Sequence, residues 1–143
     1  MPVSVKRITL WRGEVDNKPG ALAALTQPLA GAGANLKVVM GYRHTAAKQG
    51  KAIVEIYPVS GRKVTAAAEA AGLGGSAIPT LLVEGDDRPG LGSAIASGIA
   101  AAGVNIAFFM AQVVGDRYAA VIGFENGGDA DKAAPIIKKA ARG

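Results

Sequence analysis

Two short turns carry the polar residues whose types and spacing best suit chemistry in this chain. The first reads Asp16-Asn17-Lys18-Pro19-Gly20 and the second Asp86-Asp87-Arg88-Pro89-Gly90. In each, acidic or amide side chains run into a Pro-Gly pair and then into a stretch with helical spacing. Proline suits the first helical turn because its φ is already set there and its missing N–H is not needed. Gly20 and Gly90 leave backbone N–H groups uncovered at the start of the helix, where the macrodipole adds partial positive charge. Such a terminus can hold a carboxylate. Asp16, Asn17, Asp86 and Asp87 can accept hydrogen bonds from an ammonium group. A free amino acid presents both groups at a fixed separation, so one turn can read both. A structural use stands beside this one: Asp16 and Asp86 can cap turns or helices. Gly92, two residues past the second Pro-Gly, opens space where Leu22 fills it in the first. Lys18 and Arg88 are expected to be solvated.

The rest of the composition removes other chemistries. The 143 residues contain no cysteine, which excludes disulfides, thiolate catalysis and sulfur-ligated metals. His44 is the single histidine, so multi-histidine metal sites and most His-based triads are excluded, and the residue reads as part of a loop. The one acidic cluster is Asp86-Asp87, with no base beside it and no metal-ligand spacing. No catalysis, cofactor or metal is therefore expected. The net charge is +5, with ten basic and four acidic residues in 1–72. The basic residues are scattered rather than clustered, which suits a solvated surface better than nucleic-acid binding. Residues 89–115 carry no charge, a length that could span a bilayer. Gly98 and Gly103 interrupt it, and Val104-Asn105-Ile106 begins a β-like run, so no membrane span is expected. Nor does Met1–Ile8 resemble a signal peptide. A cytoplasmic location is the expectation.

The elements that position the turns follow from an internal repeat. Shifted by 70, the sequence matches itself at Glu14/Glu84, Asp16/Asp86, Pro19/Pro89, Gly20/Gly90, Ala24/Ala94, Ala30/Ala100, Ala32/Ala102, Gly33/Gly103, Asn35/Asn105 and Met40/Met110. Repeats fix architecture, and the seam predicts two domains, 1–74 and 75–143. Each unit reads as strand, turn, helix, strand, strand, helix. Leu22, Leu25, Leu29 and Ala32, and then Leu91, Ile95, Ile99 and Ala102, fall on one helical face. Gly33 and Gly103 suit the left-handed residue that ends a helix. Pro28 is expected to kink the first helix. Second strands are predicted over 35–43 and 105–114, and third strands over 51–59 and 118–125. Tyr57 aligned with Phe124 makes the intervening loop about three residues shorter in the second unit. Second helices are predicted over 62–71 and 130–141.

The fold class is α+β: two ferredoxin-like βαββαβ repeats with helices on one face of antiparallel sheets. A final strand of the first unit could only be the short 75–78, and the second repeat lacks its last strand. The extended run at 3–15 is unusually long, and its first half is suggested to fill a missing edge position. Exposed strand edges need cover or partners, so a homodimer completing its sheets across subunits is expected. An RNA-recognition module shares this plan but needs stacking aromatics on a central strand. Neither Lys51-Ala-Ile-Val-Glu-Ile-Tyr57 nor Tyr118-Ala-Ala-Val-Ile-Gly-Phe124 has that pattern.

The repeated Asp-x-x-Pro-Gly turn, helix, and Gly-Ala-Asn or Gly-Val-Asn exit resemble the ACT domain, a small regulatory module that binds amino acids. The chain is similar in plan to small bacterial proteins made of two ACT repeats. The resemblance rests on Glu14–Leu22 with Ala32–Leu36 and on Glu84–Gly92 with Ala102–Ile106, and it covers nearly the whole chain. It implies a non-catalytic sensor that binds a free amino acid between ACT-like domains. The implied contacts come from Asp16, Asn17, Pro19, Gly20, Ala21 and Leu22 with Asn35 and Leu36. In the second repeat they come from Asp86, Asp87, Pro89, Gly90, Leu91 and Gly92 with Asn105 and Ile106. Asn35 and Asn105 would complete a site from the adjacent repeat or subunit. A separate enzyme or regulator would be the partner that receives the signal, one version being the regulatory subunit of an amino-acid biosynthetic enzyme.

Overall fold

The computed structural model describes residues 3–43 and 49–143, so the expectation for His44 lies outside the described residues. In chain order the elements are β1 (Val3–Ile8), β2 (Trp11–Asp16), α1 (Ala21–Gly31), β3 (Val38–Tyr42), β4 (Lys51–Tyr57), α2 (Arg62–Ala70), β5 (Gly74–Gly75), β6 (Thr80–Asp86), α3 (Leu91–Ala101), β7 (Ile106–Val114), β8 (Arg117–Phe124) and α4 (Gly127–Arg142). The chain forms two compact units, Thr9–Ser76 and Ala77–Gly143, the second joined by the residues up to Ile8. No described helix is long and apolar enough to cross a membrane.

Each unit holds one four-stranded antiparallel sheet. The orders are β3-β4-β2-β5 and β1-β6-β8-β7. The long extended run of the N-terminus is thus two strands, broken after Ile8. The first of them pairs along β6, from Val3 opposite Gly85 to Ile8 opposite Thr80. It occupies the edge that β5 occupies in the other sheet, where only Trp11 and Arg12 find partners. Val3 joins the apolar core of the second repeat's unit, and that burial gives the strand a reason to stay.

Helix burial follows the apolar spacing. Leu25 and Leu29 of α1 lie in a core with Val54, Ile56, Val64, Ala68 and Leu73. Leu91, Ile95 and Ile99 of α3 lie in the other core with Tyr118, Ile122, Phe124 and Ile137. Leu22 departs from the expected face and is 43% exposed. The α1 helix runs unbroken from Ala21 to Gly31 with Pro28 inside it, and the Pro28 carbonyl accepts from the Ala32 N–H at 3.0 Å. Gly33 and Gly103 have φ of 95° and 73°. The N–H groups of Ala34 and Val104 reach back to Leu29 and Ile99, which closes both helix ends.

Candidate functional site

In each unit the Pro-Gly turn leads from the first strand of the repeat into its helix. Gly20 (φ 85°) and Gly90 (φ 81°) are the residues before α1 and α3, and no side chain caps either helix. An L side chain is strained at these angles, which accounts for glycine at both. Ala21 and Leu91 bond back to the carbonyls of Lys18 and Arg88 at 3.3 and 3.2 Å, and Ala24 and Ala94 make the first helical bonds. The N–H groups between them point out of the helix start, as the geometry of a helix terminus requires.

The aspartates do not cap. Asp16 Oδ1 takes a hydrogen bond from Lys51 Nζ at 2.5 Å, and Asp86 Oδ1 one from Arg117 Nη1 at 2.6 Å. The same ion pair therefore occurs in both repeats, between the end of one strand and the start of its neighbour. Lys51 and Arg117 were not legible as partners in the sequence, because the pairing depends on sheet register rather than spacing. Lys51, chiefly by its hydrogen bond and then by its charge, holds the Asp16 carboxyl below its ordinary value, with Lys18 adding to the effect. The Lys51 ammonium is held correspondingly high. Arg88 is not solvated as expected: its Nη2 donates to the Ala140 carbonyl of α4 at 2.8 Å.

The register also corrects the loop between third and second strands. Asp16 lies opposite Lys51 and Asp86 opposite Arg117. Tyr57 therefore corresponds to Gly123 rather than Phe124, and Ala52 to Tyr118.

Around the first turn the chain leaves a cavity of about 400 Å³. Asp16, Asn17, Lys18, Ala21 and Leu22 form one side of it. Gly41, Tyr42, Arg43, Ala52 and Val54, from the end of β3 and from β4, form another. Small-molecule sites run from roughly 300 to 1,000 Å³. The rim carries one carboxylate and two cations beside an uncapped helix start, a charge distribution suited to a zwitterion. Tyr42 stands among charge as well. Its phenol is pushed up by burial and by the Glu55 carboxylate, against the pull of Arg12. Arg12 Nε lies 3.1 Å from the buried Glu55 Oε1.

The remaining expected residues fall elsewhere. Pro19 and Gly20 are exposed in the first turn, and Asp87, Pro89 and Gly90 in the second. Leu91 is 2% exposed, inside the core. Gly92 borders the hydroxyl of Tyr118, which a Cβ at that position would meet at 3.5 Å. Asn35 and Asn105 lie past the far ends of α1 and α3, helices of 11 residues and so roughly 16 Å long. Within a repeat the turn and the asparagine are therefore at opposite ends. Asn105 donates to Glu125 Oε1 at 2.6 Å. Leu36 and Ile106 pack against the cores of their own units. Among the described residues no group of three or more His, Cys, Asp or Glu is placed to hold a metal ion.

Several solved structures share this arrangement. A protein from Bacteroides thetaiotaomicron superposes with a TM-score of 0.73 at 19% identity, over 94% of this chain and 89% of its own. The ligand-free regulatory subunit of aspartate kinase from Thermus thermophilus gives 0.64 at 18% identity, over 98% and 97%. The fold is the tandem ACT-like one. Clostridium acetobutylicum aspartate kinase, described as an allosteric enzyme, matches 98% of this chain with 34% of its own, at TM-score 0.60 and 13% identity. No family model and no curated protein matches the sequence.

Proposed function

We propose that this chain is a non-catalytic regulatory protein of the ACT family that binds a free amino acid at the turn of its first repeat. The observation that carries the reading is the cavity between that turn and the end of β3. The helix start with Lys18 and Arg43 suits a carboxylate, Asp16 suits an ammonium, and the cavity volume suits one small molecule. The fold shared with aspartate kinase regulatory subunits supports a regulatory role.

Asn35 reaches such a site from a second copy. Among the described residues the edge strand β3 pairs only with β4, and it exposes Val39 and Tyr42. Pairing of this edge with itself across a twofold axis runs antiparallel. It would bring Asn35 of one copy toward the Tyr42–Arg43 end of the other. A homodimer of this kind covers an open edge and supplies the missing amide together.

Thermal unfolding with each of the twenty amino acids, at millimolar concentration, tests the reading. A ligand at 100 times its Kd adds about 2.7 kcal/mol, on the order of 5–10 °C for a chain of this length unfolding as one unit. One responder is expected, and its effect is lost in Asp16→Ala and in Asn35→Ala. No response to any of the twenty sinks the reading. A second reading, a subunit of a biosynthetic enzyme, draws on the full-length match to a kinase regulatory subunit. A stoichiometric enzyme recovered in a pull-down would favour it.

A further inference from the structure

The two repeats are not equivalent at their turns, and the difference is one of volume. Three small residues of the first cavity, Ala21, Gly41 and Ala52, correspond through the repeat and the sheet register to Leu91, Ala111 and Tyr118. Every one of the three is larger in the second repeat. Six other lining positions change in the opposite sense, Val15 to Gly85, Leu22 to Gly92, Tyr42 to Gln112, Arg43 to Val113, Ile53 to Ala119 and Val54 to Ala120; of these, Gly92 adjoins the Tyr118 hydroxyl and Ala120 shares its core. Tyr118 is 5% exposed and belongs to the core of its unit, as do Leu91 and Ala120. Its hydroxyl touches the space above Gly92 and is buried with no hydrogen-bond partner among the described residues.

We infer that the second repeat's turn pocket is filled by the chain's own Tyr118 and Leu91, so that of the two turns only the first repeat's is open to a small molecule. The inference rests on the amino-acid reading above for what the open site takes, but not for the filling of the closed one. Interiors are close-packed, and a tyrosine cannot replace an alanine without compensation. The reductions at 92 and 120 are the compensation. The orphaned hydroxyl fits the same account, because a ring placed for its volume carries a polar tip that nothing there was built to meet. Gly92, which reads in the sequence as space for a ligand, is space for this ring.

Two arms of experiment separate this inference from the function it builds on. In the first, p-cresol, the tyrosine side chain as a free molecule, is added to the wild type and to Tyr118→Ala. Such a cavity can stay open and bind an aromatic guest. The expected result is a rise in Tm of several degrees in the variant alone, with one molecule bound per chain. A variant that folds and ignores p-cresol overturns the filling, and so does an equal response in the wild type. In the second arm the first repeat receives the second's packing, by Ala52→Tyr with Leu22→Gly and Val54→Ala. The transplant should fold and lose the thermal response to whichever of the twenty amino acids shifts the wild type. Isothermal titration of the wild type should give one amino acid per chain. Two per chain, or a transplant that still responds, overturns the inference while leaving amino-acid binding intact. If no amino acid shifts the wild type, the proposed function fails, and the filling is judged on p-cresol alone.

Discussion

Tyr118 carries the clearest consequences of any single side chain. A buried hydroxyl without a partner costs about 1–3 kcal/mol relative to its apolar counterpart, so Tyr118→Phe should leave the fold intact and add roughly 1 kcal/mol of stability in urea unfolding. Its phenol is held above the ordinary 10.0, first by burial and then by the charge of Asp87. Above pH 10.0 the unfolded chain gives up this proton while the native chain keeps it. The unfolded state then binds fewer protons, and stability falls as pH rises. The contribution is complete below pH 10.0 and is lost toward the native value. Tyr118→Phe should therefore shallow the loss of stability between about pH 9 and about pH 11, Tyr42 accounting for part of what remains. Asp16 has the opposite sign. Its lowered carboxyl stabilises above the ordinary 3.8 and stops doing so as pH falls through the native value. The Arg12–Glu55 pair is a third case, with Glu55 at 2% side-chain exposure. Arg12→Ala should cost on the order of 2 kcal/mol, less than a fully dry pair would, since Arg12 is still 35% exposed. Adding Glu55→Gln should recover most of that loss.

At the scale of elements, the left-handed glycines of the two turns permit the fewest substitutions. Gly20→Ala and Gly90→Ala place a Cβ at φ near 80° and should each cost about 1–2 kcal/mol, measured by chemical denaturation. The sequence makes these turns legible because Pro-Gly followed by 3–4 apolar spacing has few other uses. It makes α1 and α3 legible for the same reason, and the glycines after them mark their ends. What spacing cannot show is which residues meet across a sheet. Lys51 with Asp16, Arg117 with Asp86, and Tyr118 beneath Gly92 are products of register. Four residues of difference between the two loops, rather than three, decide which of them face each other. Asn35 and Asn105 stand out as repeated polar residues, but that they lie a helix length from their own turns is a property of the strand–helix–strand path. Removing residues 1–8 should expose the edge of β6 and strip Val3 from the core. Burial of a side chain of that size is worth about 1.5–3 kcal/mol. The truncated chain should unfold at lower urea and show self-association in sedimentation.

For the whole molecule, the proposed dimer predicts a sedimentation mass of two chains at tens of micromolar. It also predicts a monomer when Val39→Lys places charge on the exposed edge of β3. A stable monomer of the unaltered chain would remove the second copy's Asn35 from the site. The path of the chain sets one more property. The strand that finishes the sheet of the second repeat is made before every other strand of that sheet. During synthesis Val3–Ile8 must wait while Thr9–Ser76, whose strands all lie within that stretch, can fold beside it. Its place along β6 opens only some 80 residues later. The nascent chain therefore carries a short, unpaired β segment throughout the elongation of its neighbour. Lys6 and Arg7 within that segment keep it charged while its partner strand is still unmade.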